Sequence, residues 1–308
     1  MRGIIAVDIG GTFYKGSIIP ELTDSAAILD EVRKGFMKMP IKVEDKSEVQ
    51  TFFDFINLLY LGAGKKDYSI SGIGMAFPGP FNFDAGISRM DHKLKDFKGI
   101  DLRHELPIHI SGLNNDVPLY FFADCHTFGA YEYKYNTTTV NSKFLGITLG
   151  TGLGTTFIDN GVILVKPKNG IPCMGSVWDL PYLDGIVEDY VSSRFLLTDY
   201  LTRSANNSNI TVTEIIDEAI EGKKDAVETL KLMGFHLGRS LKEIIREFCP
   251  KMVVVGGGLS VAYDFFISDV RRGAEVLEDT GLFSRSSLNY YSSLMGIKIL
   301  MDKEIVYE

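Results

Sequence analysis

The sequence predicts an α/β protein built from two similar domains. Three observations carry this reading. Short apolar runs end in glycine clusters, two of those clusters continue as β-prone residues, and helix-patterned segments lie between them. The clusters are Ile4-Ile5-Ala6-Val7-Asp8-Ile9-Gly10-Gly11-Thr12, Phe144-Leu145-Gly146-Ile147-Thr148-Leu149-Gly150-Thr151-Gly152 and Met252-Val253-Val254-Val255-Gly256-Gly257-Gly258. A buried strand ending in glycine leaves backbone N–H groups free to point at a ligand. The first two clusters run on into Phe13–Ile19 and Thr155–Ile158, so each reads as a hairpin bend. Their separation of about 140 residues reads as a weak internal repeat.

The remaining elements follow in chain order. Val49, Phe52, Phe53, Ile56, Leu59 and Tyr60 fall at helical spacing, which predicts a helix over 48–60. Ile70–Phe77 reads as a strand, and Pro78-Gly79-Pro80 as a turn. Val117–Phe122 is another strand, running into Ala123-Asp124-Cys125-His126, where a helix begins. Helices are predicted over 188–200, 212–220 and 225–248, the last ended by Pro250. Thr211 and Glu214 have capping-box spacing. A final helix over about 290–303 is expected to cross back to the first half. The repeat alone places the domains at 1–120 plus 290–308, and at 121–289.

Composition narrows the classes. The chain has 308 residues, 45% hydrophobic and 23% charged, enough apolar content for a sizeable core. Three cysteines, never spaced Cys-x-x-Cys, argue against a disulfide framework and a four-cysteine zinc site. A net charge of −8 argues weakly against a nucleic-acid partner. No apolar run approaches ~18 residues, so no membrane span is expected. The opening Met-Arg-Gly-Ile-Ile-Ala-Val-Asp lacks a signal-peptide pattern, and a cytoplasmic protein is the expectation.

Chemistry concentrates near the glycines. Asp8, at a strand end, costs free energy if buried without partners. Beside Gly10, Gly11 and Thr12 it could hold Mg²⁺ next to a phosphate chain, with Lys15 adding positive charge. The same residues also suit an ordinary hairpin turn. Gly150-Thr151-Gly152-Leu153-Gly154 superficially matches a dinucleotide fingerprint, but that needs a following helix. Thr155–Ile158 is β-like and Asp159-Asn160-Gly161 is a turn signal, so a second phosphate-binding hairpin fits better. Gly257 and Gly258 would admit a nucleotide's ribose or adenine closely, having no Cβ. Each cluster alone also suits a plain turn. By residue type, Asp124 serves either as a helix cap or as a general base for an attacking hydroxyl. The Cys125–His126 neighbours lack a third member for a catalytic set, and Trp178 reads as packing.

Taken together, the motifs resemble the ROK family of sugar kinases, within the actin/hexokinase-like ATPases. Asp8-Ile9-Gly10-Gly11-Thr12-x-x-Lys15 is similar to the first phosphate motif of that family. Gly72–Pro80, Phe97–Leu102, Leu149–Gly154 and Pro250 with Val253–Gly258 resemble further family motifs in the family's order, over nearly the whole chain. The resemblance implies an actin-like ATPase (ribonuclease H-like) fold, two similar α/β domains around a central cleft. It implies ATP and Mg²⁺ as cofactors, a sugar as substrate, and Asp124 as the catalytic base. A homodimer is common in the family.

The departures fall on the sugar side. Ala123 and His126 replace the two Asn residues flanking the family's catalytic Asp. Cys173-Met174-Gly175-Ser176 aligns with the family's sugar-holding Glu-x-Gly-His, and Lys93-Leu94-Lys95 with its Asn-Leu-Pro loop. Trp178–Gly185 stands where the family's zinc loop would be, so no structural zinc is expected. Glu188 matches the family Glu just after that loop. Gly79, Lys93, Ala123, His126, Cys173, Ser176 and Glu188 are therefore the candidate acceptor-side residues. The resulting expectation is an ATP-dependent sugar or sugar-derivative kinase with an acceptor altered from glucose. The alternative is a catalytically impaired, nucleotide- or sugar-binding regulatory relative. A DNA-binding version is less favoured, because only seven residues precede Asp8.

Overall fold

Both glycine-ended strands fold back on themselves at their glycines. A computed structural model of the chain describes residues 1–91, 93–136, 142–204, 209–276, 281–288 and 290–308. The first hairpin pairs Arg2–Ile9 with Phe13–Pro20, and the second pairs Lys143–Leu149 with Leu153–Asp159. Gly10 N–H donates to the Phe13 carbonyl at 3.1 Å, and Gly150 N–H to the Gly152 carbonyl at 3.0 Å. Each bend is closed by its own backbone.

Tertiary contacts divide the chain into two units. One comprises Met1–Tyr131 and Tyr290–Ile305, the other Glu132–Asn289 and Val306–Glu308. The division thus falls inside the helix Asp124–Asn136 rather than near residue 120. The cause is the strand Leu119–Ala123, which pairs in parallel with Ser69–Phe77 and so belongs to the first sheet.

The first sheet runs Met37–Pro40, Phe13–Pro20, Arg2–Ile9, Ser69–Phe77, Leu119–Ala123. The second contains, in order, Val162–Leu164, Leu153–Asp159, Lys143–Leu149, Met252–Gly256 and Phe283–Arg285. Within each five-strand set the first two pairings are antiparallel and the next two parallel. The weak sequence repeat is therefore a repeat of topology. The second sheet carries one extra edge strand, Val306–Tyr307, beside Val162–Leu164.

Helices cover the sheets where their apolar stripes require it. Glu48–Lys65 starts on a capping box, with Ser47 and Gln50 exchanging side-chain and backbone bonds. It buries Phe52, Phe55, Ile56 and Leu59 against the first sheet. Phe52 is fully buried, with ring centroids 5.6 Å from Tyr14, 5.8 Å from Phe77 and 5.3 Å from Phe97. The last helix, Tyr290–Met301, returns to the first unit and lays Ile297 and Met301 over Gly72 and Gly74. In the second unit, Lys224–Phe248 and Tyr263–Gly273 pack together. Val212–Ile220 begins where its capping box placed it, with Thr211 N–H donating to Glu214 at 2.7 Å. The helix expected over 188–200 instead spans Ser193–Ser204. Glu188 lies in a preceding 3₁₀ turn, Val187–Asp189.

Truncating Phe52 to Ala should leave a cavity at the centre of the first unit. We expect a loss of about 3–5 kcal/mol, read as a lower urea midpoint with the slope unchanged.

Candidate active site

In the first unit, the Asp8 strand faces its hairpin partner so that Asp8 sits directly opposite Lys15. Their side chains form an ion pair, Lys15 Nζ to Asp8 Oδ2, at 2.8 Å, and both are largely buried. Burial alone would lower the Lys15 pKa, but the Asp8 carboxylate reverses this and leaves it raised. The Tyr290 ring, from the last helix, lies beside Lys15, its centroid 4.8 Å from Lys15 Nζ. Gly11 and Thr12 at the bend are exposed, so this end of the hairpin offers backbone amides beside a neutralised carboxylate.

Two strands across the same sheet, Phe77 pairs with Ala123, and Asp124 follows as the first residue of its helix. Its Oδ1 accepts from the Cys125 N–H at 2.8 Å. The carboxyl is deeply set yet keeps partial accessibility. Burial is the largest influence and raises its pKa, Lys93 draws it back, Asp8 pushes it up, and the net value is about 6. Lys93 is half-buried. Its loop is pinned by Phe97, which packs 5.3 Å from Phe52 and 5.8 Å from Phe77. His126 is 5% exposed, and burial depresses its pKa to about 4, so it is a neutral ring. Gly79 is exposed in the turn after Ser69–Phe77.

The second unit holds Gly150, Thr151, Gly152, Cys173, Ser176, Glu188, Gly257 and Gly258. The Gly150–Gly152 bend is tied down from two sides. Ser193 donates both its N–H, at 2.9 Å, and its hydroxyl, at 2.8 Å, to the Gly150 carbonyl. Glu188 Oε2 accepts the Leu153 N–H at 2.9 Å. A Cβ at position 152 would lie 2.3 Å from that same oxygen, so the approach requires Gly152. Gly257 has φ +83° and would place a Cβ 2.3 Å from the Leu149 carbonyl oxygen, so a side chain there is excluded twice over. Cys173 is exposed, and Ser176 is half-buried.

The sequence-derived residues thus assemble as two sets. Asp8, Gly10, Gly11, Thr12, Lys15, Gly79, Lys93, Ala123, Asp124 and His126 lie in one unit and the remainder in the other. Sequence reasoning missed Tyr290 and Ser193. A Tyr and a Ser at helix starts carry no motif, and only the fold brings them to the two bends. Among the described residues, no three His, Cys, Asp or Glu side chains converge as a metal site. Mg²⁺ typically takes one or two carboxylates and completes its shell with phosphates and water. A single carboxylate such as Asp8 fits an ion that arrives with ATP.

Known proteins resemble this chain at the level of sequence and fold. Residues 183–284 match the ROK family model. The glucokinase of Halalkalibacterium halodurans is 24% identical, over 89% of this chain and 86% of its own length. A ROK family glucokinase from Streptomyces griseus, solved with glucose and AMPPNP, superposes with a TM-score of 0.73. It is 18% identical and covers 97% of this chain and 98% of its own. The chain is thus similar to the ROK family in the segment that the model matches. Its fold is the actin-like ATPase fold of ROK sugar kinases. A regulator is similar as well: the xylose repressor of Caldicellulosiruptor bescii is 21% identical over 98% of this chain and 76% of its own length. No helix among the described residues is long and apolar enough to cross a membrane.

The Asp8–Lys15 pair gives a direct test of the first bend. Removing one partner of a buried pair strands the other charge, at a cost of about 3–5 kcal/mol. Lys15→Met should lower stability by that amount in chemical denaturation, and the double variant Asp8→Asn/Lys15→Met should recover part of it.

Proposed function

We propose that this protein is an ATP-dependent carbohydrate kinase of the ROK family with an acceptor altered from glucose. The observation that carries the reading is Asp124, a deeply set carboxyl at a strand end, in the same unit as the Asp8 bend. Asp124 accepts the proton of an acceptor hydroxyl as that oxygen attacks the γ-phosphorus. The new P–O bond forms, the bond to the β–γ bridging oxygen breaks, and ADP leaves. Such general base catalysis is worth ~10²–10⁴ in rate.

The other residues take roles around that step. The bends at Gly10–Thr12 and Gly150–Gly152 present amides to phosphates, and Gly257 and Gly258 admit the nucleoside; Asp8 would help hold Mg²⁺, which would neutralise phosphate charge. The acceptor-side candidates are Gly79, Lys93, Ala123 and His126 in the first unit, and Cys173, Ser176 and Glu188 in the second. The glucokinase relatives support sugar phosphorylation. Cys173 and Ser176 cannot supply the carboxylate and imidazole expected at those positions, and an unmatched buried sugar hydroxyl costs ~1–3 kcal/mol. This is the support for a changed acceptor. The same departures, with a repressor among the relatives, favour a second reading: a regulator that binds ligand without turnover.

A screen of sugars, amino sugars and sugar acids separates the two. The kinase reading expects acceptor-dependent ADP release that is lost in Asp124→Asn. Release from no acceptor, or full activity in Asp124→Asn, contradicts it.

The pH dependence has a defined sign. Asp124 works ionised, so kcat/KM should rise with pH through an apparent pKa of about 6. Stability has the opposite sense for this group. The folded state holds its proton more tightly than the unfolded chain, so its contribution is full at low pH and is lost as pH rises through about 6. Lys93 lowers the Asp124 pKa, so Lys93→Met should move the acid limb to higher pH.

A further inference from the structure

The segment from Trp178 to Tyr190 is a small folded hairpin. Pro181–Tyr182 pairs with Gly185–Ile186 across a two-residue turn, with Leu183 at φ +52°. Below the turn, Val187 N–H donates to the Leu180 carbonyl at 3.0 Å, and Glu188 N–H to the Trp178 carbonyl at 2.9 Å. The backbone of Glu188 is therefore fixed by the base of the hairpin.

The hairpin in turn is fixed to the long helix Lys224–Phe248. The Tyr182 hydroxyl and His236 Nδ1 share a hydrogen bond of 2.9 Å. The Tyr190 and Phe195 rings lie 5.1 and 5.6 Å from the His236 ring, and Tyr182 crosses Tyr190 edge-on at 5.3 Å. Tyr190 also donates its hydroxyl to Asp184 at the turn. Leu180, Tyr182, Tyr190 and Phe195 all pack against the core of the second unit. At the other end, the Glu188 carboxylate reaches the Leu153 amide beside Gly152.

From this chain of contacts we propose that Glu188 is a positioning residue for the second phosphate bend, and that Tyr182 and His236 hold it in place. One Glu188 oxygen is committed to the bend, so beyond its place among the acceptor-side candidates the residue also acts on the donor side through Leu153. It fixes the amide directly after Gly152 and sets the direction in which the Gly150–Gly152 backbone faces. A charge-assisted bond to a backbone N–H is among the stronger hydrogen bonds. His236 and Tyr182 need no ligand or metal to do this, because aromatic packing and one hydrogen bond suffice. The proposal rests on the reading of Gly150–Gly152 as a phosphate bend.

Two measurements on the full-length protein separate the proposal from that reading. Amide hydrogen exchange without ligand reports on positioning alone. Leu153 should exchange at least about tenfold faster in Glu188→Ala, and faster than wild type in Tyr182→Phe. Glu188→Gln keeps an acceptor oxygen and should restore most of the protection. Thermal unfolding checks that each variant is folded; Tyr182→Phe, which keeps its ring, is the milder change. Calorimetry with ATP·Mg then reports on function. Affinity should fall about tenfold in Glu188→Ala, about 1.4 kcal/mol, less in Tyr182→Phe, and recover in Glu188→Gln. Unchanged Leu153 exchange in folded Glu188→Ala and Tyr182→Phe overturns the positioning role. Faster exchange with unchanged ATP affinity overturns its service to the phosphate bend. A wild-type protein that binds no ATP overturns the nucleotide reading itself, whatever the exchange shows.

Discussion

Two carboxylates held near two lysines are the constraint on which the first unit depends. Asp8 lies one residue from the end of its strand and Asp124 directly follows another strand of the same sheet, close enough for Asp8 to push the Asp124 pKa upward. Like charges so placed resist joint ionisation. Lys15 removes the conflict at Asp8 by a direct 2.8 Å ion pair. Lys93 acts on Asp124 from its loop, offsetting part of the burial effect. The result is one carboxylate tied in an ion pair and a second poised near neutrality. That separation of roles suits a site that must hold phosphate charge and accept a proton.

The same economy of means recurs in the second unit, with different side chains. Its sheet repeats the order and sense of the first, so its glycine bend occupies the equivalent place in the topology. There the bend carries no Asp–Lys pair. Ser193 and Glu188 brace it instead, one on the Gly150 carbonyl and the other on the Leu153 amide. Both braces come from chain segments about 40 residues beyond the bend, which only tertiary folding could bring there.

This explains what could be read from the sequence and what could not. The two hairpins were legible because apolar strand, glycine and β-prone return are local signals. The helix Val212–Ile220 was legible because its capping box is local as well. The helix after Glu188 was not. Its apolar spacing looks helical from 188, but Glu188 serves as a side-chain acceptor for Leu153 and sits in a separate 3₁₀ turn. The domain division moved for a similar reason, since strand pairing with Ser69–Phe77 is invisible to a repeat count. Asp124 could be placed at a strand end from sequence alone, but only the fold shows how burial and Lys93 together set its proton affinity. Tyr290 and Ser193 left no sequence signal beyond their positions at helix starts.

The charge balance that sets Asp124 is open to direct measurement. Its carboxyl can be followed directly by carbon-13 NMR through a pH titration, with Asp124→Asn used to assign the resonance. The account predicts a midpoint of about 6, moving upward in Lys93→Met. A midpoint near the ordinary aspartate value of 3.8, indifferent to Lys93, would contradict it.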